Sequence, residues 1–246
     1  MTKDMNSKLF VTPKPNPNAE LRLFCFPYAG GSPTIFSSWI EKANDNIELV
    51  FVQLPGRGAR LVEPAIDNMS DVIEELMFYR DYLTSKPFAF FGHSLGSRIS
   101  YALASQLLLE NLPTPQKIFA SASRAPHCKS GKRILHALPH DEFIAELRDL
   151  NGTPKEVLES KELMELLIPL LRADFKIADT YVAEQRALPL PIHVFHGSDD
   201  EIVDEHIAAW QELTTQPYQL TEFAGGHFFI HQYADEMISI INQQLA

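Results

Sequence analysis

The chain has 246 residues, 45% of them hydrophobic, with 21 basic and 32 acidic side chains and a net charge of −11 at neutral pH. That length is ample for the core of one α/β domain, and the acidic balance argues against nucleic acid and anionic membrane surfaces as partners. No run reaches the roughly eighteen apolar residues of a membrane span, and the opening residues lack the apolar region of a signal peptide. Cys25 and Cys128 stand too far apart in sequence for a disulfide framework, so a reducing cytoplasm is expected.

Residues 1–19, with Pro13, Pro15 and Pro17 among polar neighbours, read as an extended lead-in without helix or strand. Strand-type apolar runs follow at Glu20–Phe26, Ile47–Gln53, Phe88–Phe91, Gln116–Ala122, Pro191–His196 and Tyr218–Phe223. Helical patterns stand between and after them, at Thr34–Ala43, Met69–Leu83 (with Ser70 as its cap), Ser97–Glu110, Asp204–Leu213 and Tyr233–Gln244. Strands apolar on both faces, alternating with helices, predict a mostly parallel sheet covered by helices. The alternation fails between Arg124 and Pro191. There the patterns predict only helices, at Asp141–Leu150 and at Lys161–Ala187 with an interruption at Pro169. The expected organisation is an α/β domain over 20–246 with a helical lid insertion at about 124–190, above the C-terminal strand ends where ligands bind. The surplus of leucine and isoleucine in the insertion either faces that site or holds the insertion together.

The chemistry centres on Gly92-His93-Ser94-Leu95-Gly96, where a strand breaks directly into a helix. A serine at such a turn has its hydroxyl pushed out above the sheet, at a helix N-terminus rich in free amides. A serine hydroxyl is a poor nucleophile near neutral pH and needs a base, with a carboxylate behind that base. Of nine histidines, His227 in the Gly-Gly-His loop after the last strand is best placed as the base. His93 reads as structural, and His193 and His196 as packing residues in the acid's strand. For the acid, Asp199 and Asp200 compete, and counting Gly-x-x-Asp from Gly197 selects Asp200. The order serine, acid, histidine, each at a strand end, is that of the α/β-hydrolase arrangement. Backbone amides of Leu95 and of Ala29, or in second place Tyr28, would serve an oxyanion, although the Gly30-Gly31 loop also reads as a plain connection capped by Ser32. No metal-ligand spacing, phosphate loop or dinucleotide fingerprint appears, so no cofactor is expected.

Seven stretches are similar to the type II thioesterases, the standalone editing hydrolases of nonribosomal peptide and polyketide synthesis: Phe24-Cys-Phe-Pro-Tyr-Ala-Gly-Gly-Ser32, Gln53-Leu-Pro-Gly-Arg-Gly58, Phe91-Gly-His-Ser-Leu-Gly96, Ser123-Arg-Ala-Pro-His127, Leu166-Leu-Ile-Pro-Leu-Leu-Arg-Ala-Asp174, Phe195-His-Gly-Ser-Asp-Asp200 and Gly225-Gly-His-Phe-Phe229. Ser97 and Leu95 depart from the glycine and methionine common in that family. The resemblance implies hydrolysis of acyl or aminoacyl thioesters on the phosphopantetheine arm of acyl or peptidyl carrier proteins, in peptide, polyketide or siderophore pathways. A monomer is expected. Carrier proteins are usually acidic, so docking would need basic groups, and the candidates are Arg57, Arg60, Lys129, Lys132 and Arg133, with Arg124 beside them. The rival readings are a small-molecule carboxylesterase or acyltransferase of the same fold, and a binding protein whose triad only lines a pocket.

Overall fold

In the computed structural model, which describes residues 8–129, 131, 133–150, 152 and 155–246, a seven-stranded sheet forms the centre of the molecule. Its strands are β1 (Phe10–Val11), β2 (Leu21–Phe26), β3 (Ile47–Val52), β4 (Phe88–His93), β5 (Ile118–Ser121), β6 (Ile192–Gly197) and β7 (Tyr218–Phe223). They lie in the order β1-β3-β2-β4-β5-β6-β7, and all neighbours are parallel except the β1–β3 pair. The six strands expected from the apolar runs are all present. Every residue of β3, β4 and β6 is buried, as a sheet covered on both faces requires.

β1 corrects the expectation of a lead-in without strand. Two residues carry no readable period, and they are held by aromatic packing instead. Phe10 lies against Phe24, Tyr79 and Tyr82 with ring centroids 5.1 to 5.7 Å apart.

The helices are α1 (Met69–Phe78), α2 (Arg80–Leu83), α3 (Leu95–Leu109), α4 (His140–Asp149), α5 (Lys155–Glu159), α6 (Lys161–Thr180), α7 (Asp204–Ala208) and α8 (Ala234–Gln244). The expected helix at Thr34–Ala43 is instead a 3-10 helix at Pro33–Trp39, buried through Phe36 and Trp39. The single helix expected over Met69–Leu83 breaks at Tyr79, whose backbone leaves helical geometry. Its cap is Asn68, not Ser70: the Asn68 side chain accepts the Asp71 amide at 2.9 Å.

α6 shows the largest departure. It runs unbroken through Pro169 and stops at Thr180, short of Ala187. An interior proline costs a helix about 3 kcal/mol. Burial of Met164, Leu170, Leu171 and Ile177 on one face of α6 offsets that cost.

The segment between β5 and β6 carries α4, α5 and α6 and has a small core of its own, built on Phe143, Leu147, Met164 and Leu171. Much of the apolar surplus therefore holds this segment together. Leu163 stands exposed, while Leu147, Leu150 and Leu171 line a cavity shared with Ser94.

Candidate active site

Ser94 sits between β4 and α3 with φ 56° and ψ −113°, a conformation that L-residues adopt only under constraint. The constraint is visible at the two flanking glycines. A Cβ on Gly92 would come within 2.3 Å of the Gly96 carbonyl, and one on Gly96 within 2.0 Å of the Phe26 carbonyl oxygen. Only glycine lets the end of β4, the start of α3 and the end of β2 pass this closely. Ser97 adds a polar lock. Its buried hydroxyl lies 2.7 Å from the Gly92 carbonyl and 2.9 Å from the Ser121 carbonyl, and it accepts the Ser121 amide at 3.0 Å.

His227, on the loop after β7, reaches back over the sheet. Its Nε2 lies 2.9 Å from Ser94 Oγ, and its Nδ1 lies 2.8 Å from Asp200 Oδ2. With Nδ1–H donating to the carboxylate, Nε2 is left unprotonated to accept the serine hydroxyl. The Asp200 side chain is only 4% exposed, whereas Asp199 is exposed and takes a hydrogen bond from Ser198 Oγ. The structure thus brings Asp200, and not Asp199, to His227.

His93 lies beneath this array. Its Nε2–H donates to the His227 carbonyl at 3.0 Å, and its Nδ1 accepts from Ser121 Oγ at 2.9 Å. Burial first, then the neighbouring His227, holds its pKa well below the ordinary value, so it stays neutral and fixes the His227 backbone. His193 bonds Thr221 and Gln244 at the far end of β6.

Ala29 lines the Ser94 cavity, which has a volume of about 160 Å³. The Gly30 amide, next along the loop, donates to Asp174 Oδ2 at 2.7 Å, and the Gly31 amide to the Tyr28 carbonyl at 2.8 Å. Leu95 N–H is the first amide of α3 and has no acceptor within its own helix. The Tyr28 ring packs on His93 and Phe228, and its hydroxyl lies 3.1 Å from His231 Nε2, which braces the Ala29 loop against the His227 loop.

Two docking candidates are misplaced by the sequence reading. Arg57 is 4% exposed and forms a bidentate pair with the fully buried Asp174, at 2.8 and 2.9 Å. Arg60 is 8% exposed and is bound to Glu63, Glu75 and the Gln53 carbonyl. As docking candidates both would face a partner, but Asp174 of α6 and Glu75 of α1 draw the two side chains inward. Lys129 is exposed, and Arg133 is exposed beside Glu142 and Glu146. Lys132 lies outside the described residues. Asp174 was missed as a functional residue; its sequence signal was an acid on the buried face of an apolar helix. Arg98, the single charge within α3, also lines the Ser94 cavity and was not among the candidates.

A family model described as "Thioesterase domain" matches residues 21–245. The chain belongs to the thioesterase family. This thioesterase is 37% identical over 241 residues to the gramicidin S biosynthesis protein GrsT of Aneurinibacillus migulanus, covering 97% of this chain and 94% of that one. It is 32% identical over 243 residues to the medium-chain S-acyl fatty acid synthase thioesterase of Homo sapiens, covering 95% and 89%. Among solved structures it superposes on BorB, the type II thioesterase of the borrelidin cluster, with TM-score 0.87, 31% identity and coverage of 97% and 98%. The thioesterase therefore has the α/β-hydrolase fold and is a hydrolase acting on thioesters. No helix among its described residues is long and apolar enough to cross a membrane.

Proposed function

We propose that Ser94, His227 and Asp200 are the catalytic groups, and that the substrate is an acyl or aminoacyl thioester on the phosphopantetheine arm of a carrier protein. The observation that carries this reading is the continuous Ser94–His227–Asp200 hydrogen-bonded array at 2.9 and 2.8 Å. As Ser94 Oγ bonds to the thioester carbon, His227 Nε2 takes its proton, and the imidazolium is stabilised by Asp200. The amides of Ala29 and Leu95 face the carbonyl oxygen as it gains charge. The C–S bond breaks, the thiol leaves with the proton from His227, and water activated by the same imidazole then releases the acid and restores Ser94.

The relatives support the substrate. GrsT belongs by name to gramicidin S biosynthesis, and BorB is by name a type II thioesterase of the borrelidin biosynthetic cluster. YbtT, 28% identical with TM-score 0.81, comes from the yersiniabactin pathway. We place the reaction in the cytoplasm, where the free Cys25 and Cys128 stay reduced, and we take the acting unit to be a monomer. Mass spectrometry of a panel of acyl-loaded carrier proteins tests the reading. Discharge of carrier-bound thioesters faster than turnover of simple esters is expected; faster turnover of simple esters would favour a carboxylesterase.

A further inference from the structure

Arg98, on α3, lies four residues beyond Ser94, just over one helical turn and a rise of about 6 Å. Its Nη1 donates to the Ala178 carbonyl at 2.6 Å and its Nε to Ser123 Oγ at 3.3 Å. Arg124, after β5, donates from Nε to the Cys128 carbonyl at 2.9 Å and from Nη2 to the same Ala178 carbonyl at 3.3 Å. Arg98 Nη2 and Arg124 Nη1 make no hydrogen bond among the described residues. The two residues are 7% and 9% exposed.

The other two buried arginines, Arg57 and Arg60, each hold a carboxylate. Arg98 and Arg124 have none within ion-pair distance among the described residues. Asp179 acts on both from further away, and its Oδ2 is already committed to the Leu135 and His136 amides and to His136 Nδ1. The end of α6, whose Ala178 carbonyl they share, offers roughly half a negative charge. Two guanidinium groups therefore stand under-compensated. Burial, and for Arg98 the charge of Arg124 as well, pulls both below their usual range, Arg98 to about 9. Both line the cavity that contains Ser94 and His227, together with Leu135, Leu147 and Phe175. Arg133 shares that wall but is bound to Glu142 and Glu146.

We propose that Arg98 and Arg124 form a subsite for a carboxylate carried by the acyl group, so that this thioesterase prefers short dicarboxylic acyl thioesters to neutral ones of equal length. The inference rests on the reading that the thioester is attacked at Ser94. An acyl carboxylate a few bonds from the carbonyl fits a pair of arginines one helical turn from the nucleophile. The phosphate of a pantetheine arm stands at the far end of a long chain and does not. Among the charged side chains lining the Ser94 cavity, Arg98, Arg124 and Arg133 outnumber Asp179, so an anionic acyl group meets a positive wall there although the chain carries a net charge of −11.

The test compares glutaryl with pentanoyl, and succinyl with butyryl, as N-acetylcysteamine thioesters, which contain no phosphate. In the wild type the anionic-to-neutral ratio of kcat/KM is expected to be about tenfold or more, the range of a charge-assisted hydrogen bond. In Arg98→Leu and Arg124→Leu that ratio should fall about tenfold, whatever the absolute rates do, with Arg98→Lys keeping part of it. Free glutarate should also inhibit the wild type more strongly than pentanoate, a measurement that needs no variant. A wild-type ratio at or below one overturns the subsite, as does an unchanged ratio in folded variants. A preference that appears only when a 4′-phosphate is present on the pantetheine thioester also overturns it. Absence of turnover for all four thioesters, anionic and neutral, overturns the Ser94 reading itself, so the two failures are separate.

Discussion

Asp174 and Gly30 come from different parts of the chain, α6 and the loop after β2, and are joined at 2.7 Å by the Gly30 amide donating to the Asp174 carboxylate. The same carboxylate holds Arg57, which in turn donates to the Gly31 carbonyl at 3.1 Å. One buried ion pair thus fixes the loop that carries Ala29 to the helix roofing the cavity. The Gly30 amide is thereby committed to Asp174, which leaves the Ala29 and Tyr28 amides of that loop as the oxyanion candidates.

Removing one member of such a pair leaves an uncompensated buried charge, so Asp174→Ala should lose about 3–5 kcal/mol of stability by denaturant titration. Asp174→Asn keeps an acceptor for Gly30 but not the charge. Its kcat on a small acyl thioester should fall about tenfold while KM changes little, the pattern of a displaced oxyanion loop. A loss confined to KM would assign Asp174 to substrate binding instead.

Ser94→Ala should lower thioester hydrolysis at least about 10³-fold, and Asp200→Asn should be far more damaging than Asp199→Asn. Ser94→Gly separates strain from chemistry. With φ 56° and ψ −113°, the serine holds strain that glycine does not feel, so Ser94→Gly should be inactive yet melt higher than Ser94→Ala, by about 1–3 kcal/mol. Equal melting of the two would mean the turn is unstrained.

His93 is expected to make the fold acid-sensitive. Its folded pKa is depressed below 6.5 by burial and then by His227, and burial lowers His193 and His231 as well. Below about pH 6.5 the unfolded chain binds these protons first, so stability is full above that value and falls as the pH drops beneath it. Urea midpoints should be level from about pH 8 to 7 and decline toward pH 5, with a shallower decline in His93→Gln. A parallel decline in the variant would move the effect to other groups.

Amide exchange should divide the segment between β5 and β6. α4 and α5 pack mainly on their own small core and should exchange faster than β4, as a gating element does. The end of α6 should stay slow, because Asp174 binds Arg57 and Gly30 while Asp179 accepts the Leu135 and His136 amides. Protection of α4 and α5 equal to that of β4 would argue against gating.

Of the basic docking candidates, Arg57 and Arg60 are turned inward, which leaves Lys129, Lys132 and Arg133. Lys129→Glu should raise the ratio of KM for an acyl-carrier protein to KM for a small thioester, and the effect should shrink as salt is added. An unchanged ratio would remove Lys129 from the docking surface.

The sequence determined what local pattern determines. Continuous apolar runs made the six parallel strands inevitable, and the spacing of Gly92, Ser94 and Gly96 required a tight strand-to-helix turn, because only glycine fits where backbones meet. The chain order of a serine, an acid at 199 or 200 and His227 at strand ends marked the candidate array, and the fold chose Asp200. Tertiary structure decided the rest, through partners remote in sequence. β1 exists because Phe10 finds Tyr79 and Tyr82, and α6 runs through Pro169 because its apolar face is buried. Arg57 and Arg60, docking candidates by their charge, turned inward because Asp174, Glu63 and Glu75 meet them. Arg98 and Arg124 found no such carboxylate among the described residues. Whether a charged side chain faces water, an ion pair or a substrate depends on which groups the fold sets beside it, and that is a property of packing that no local pattern contains.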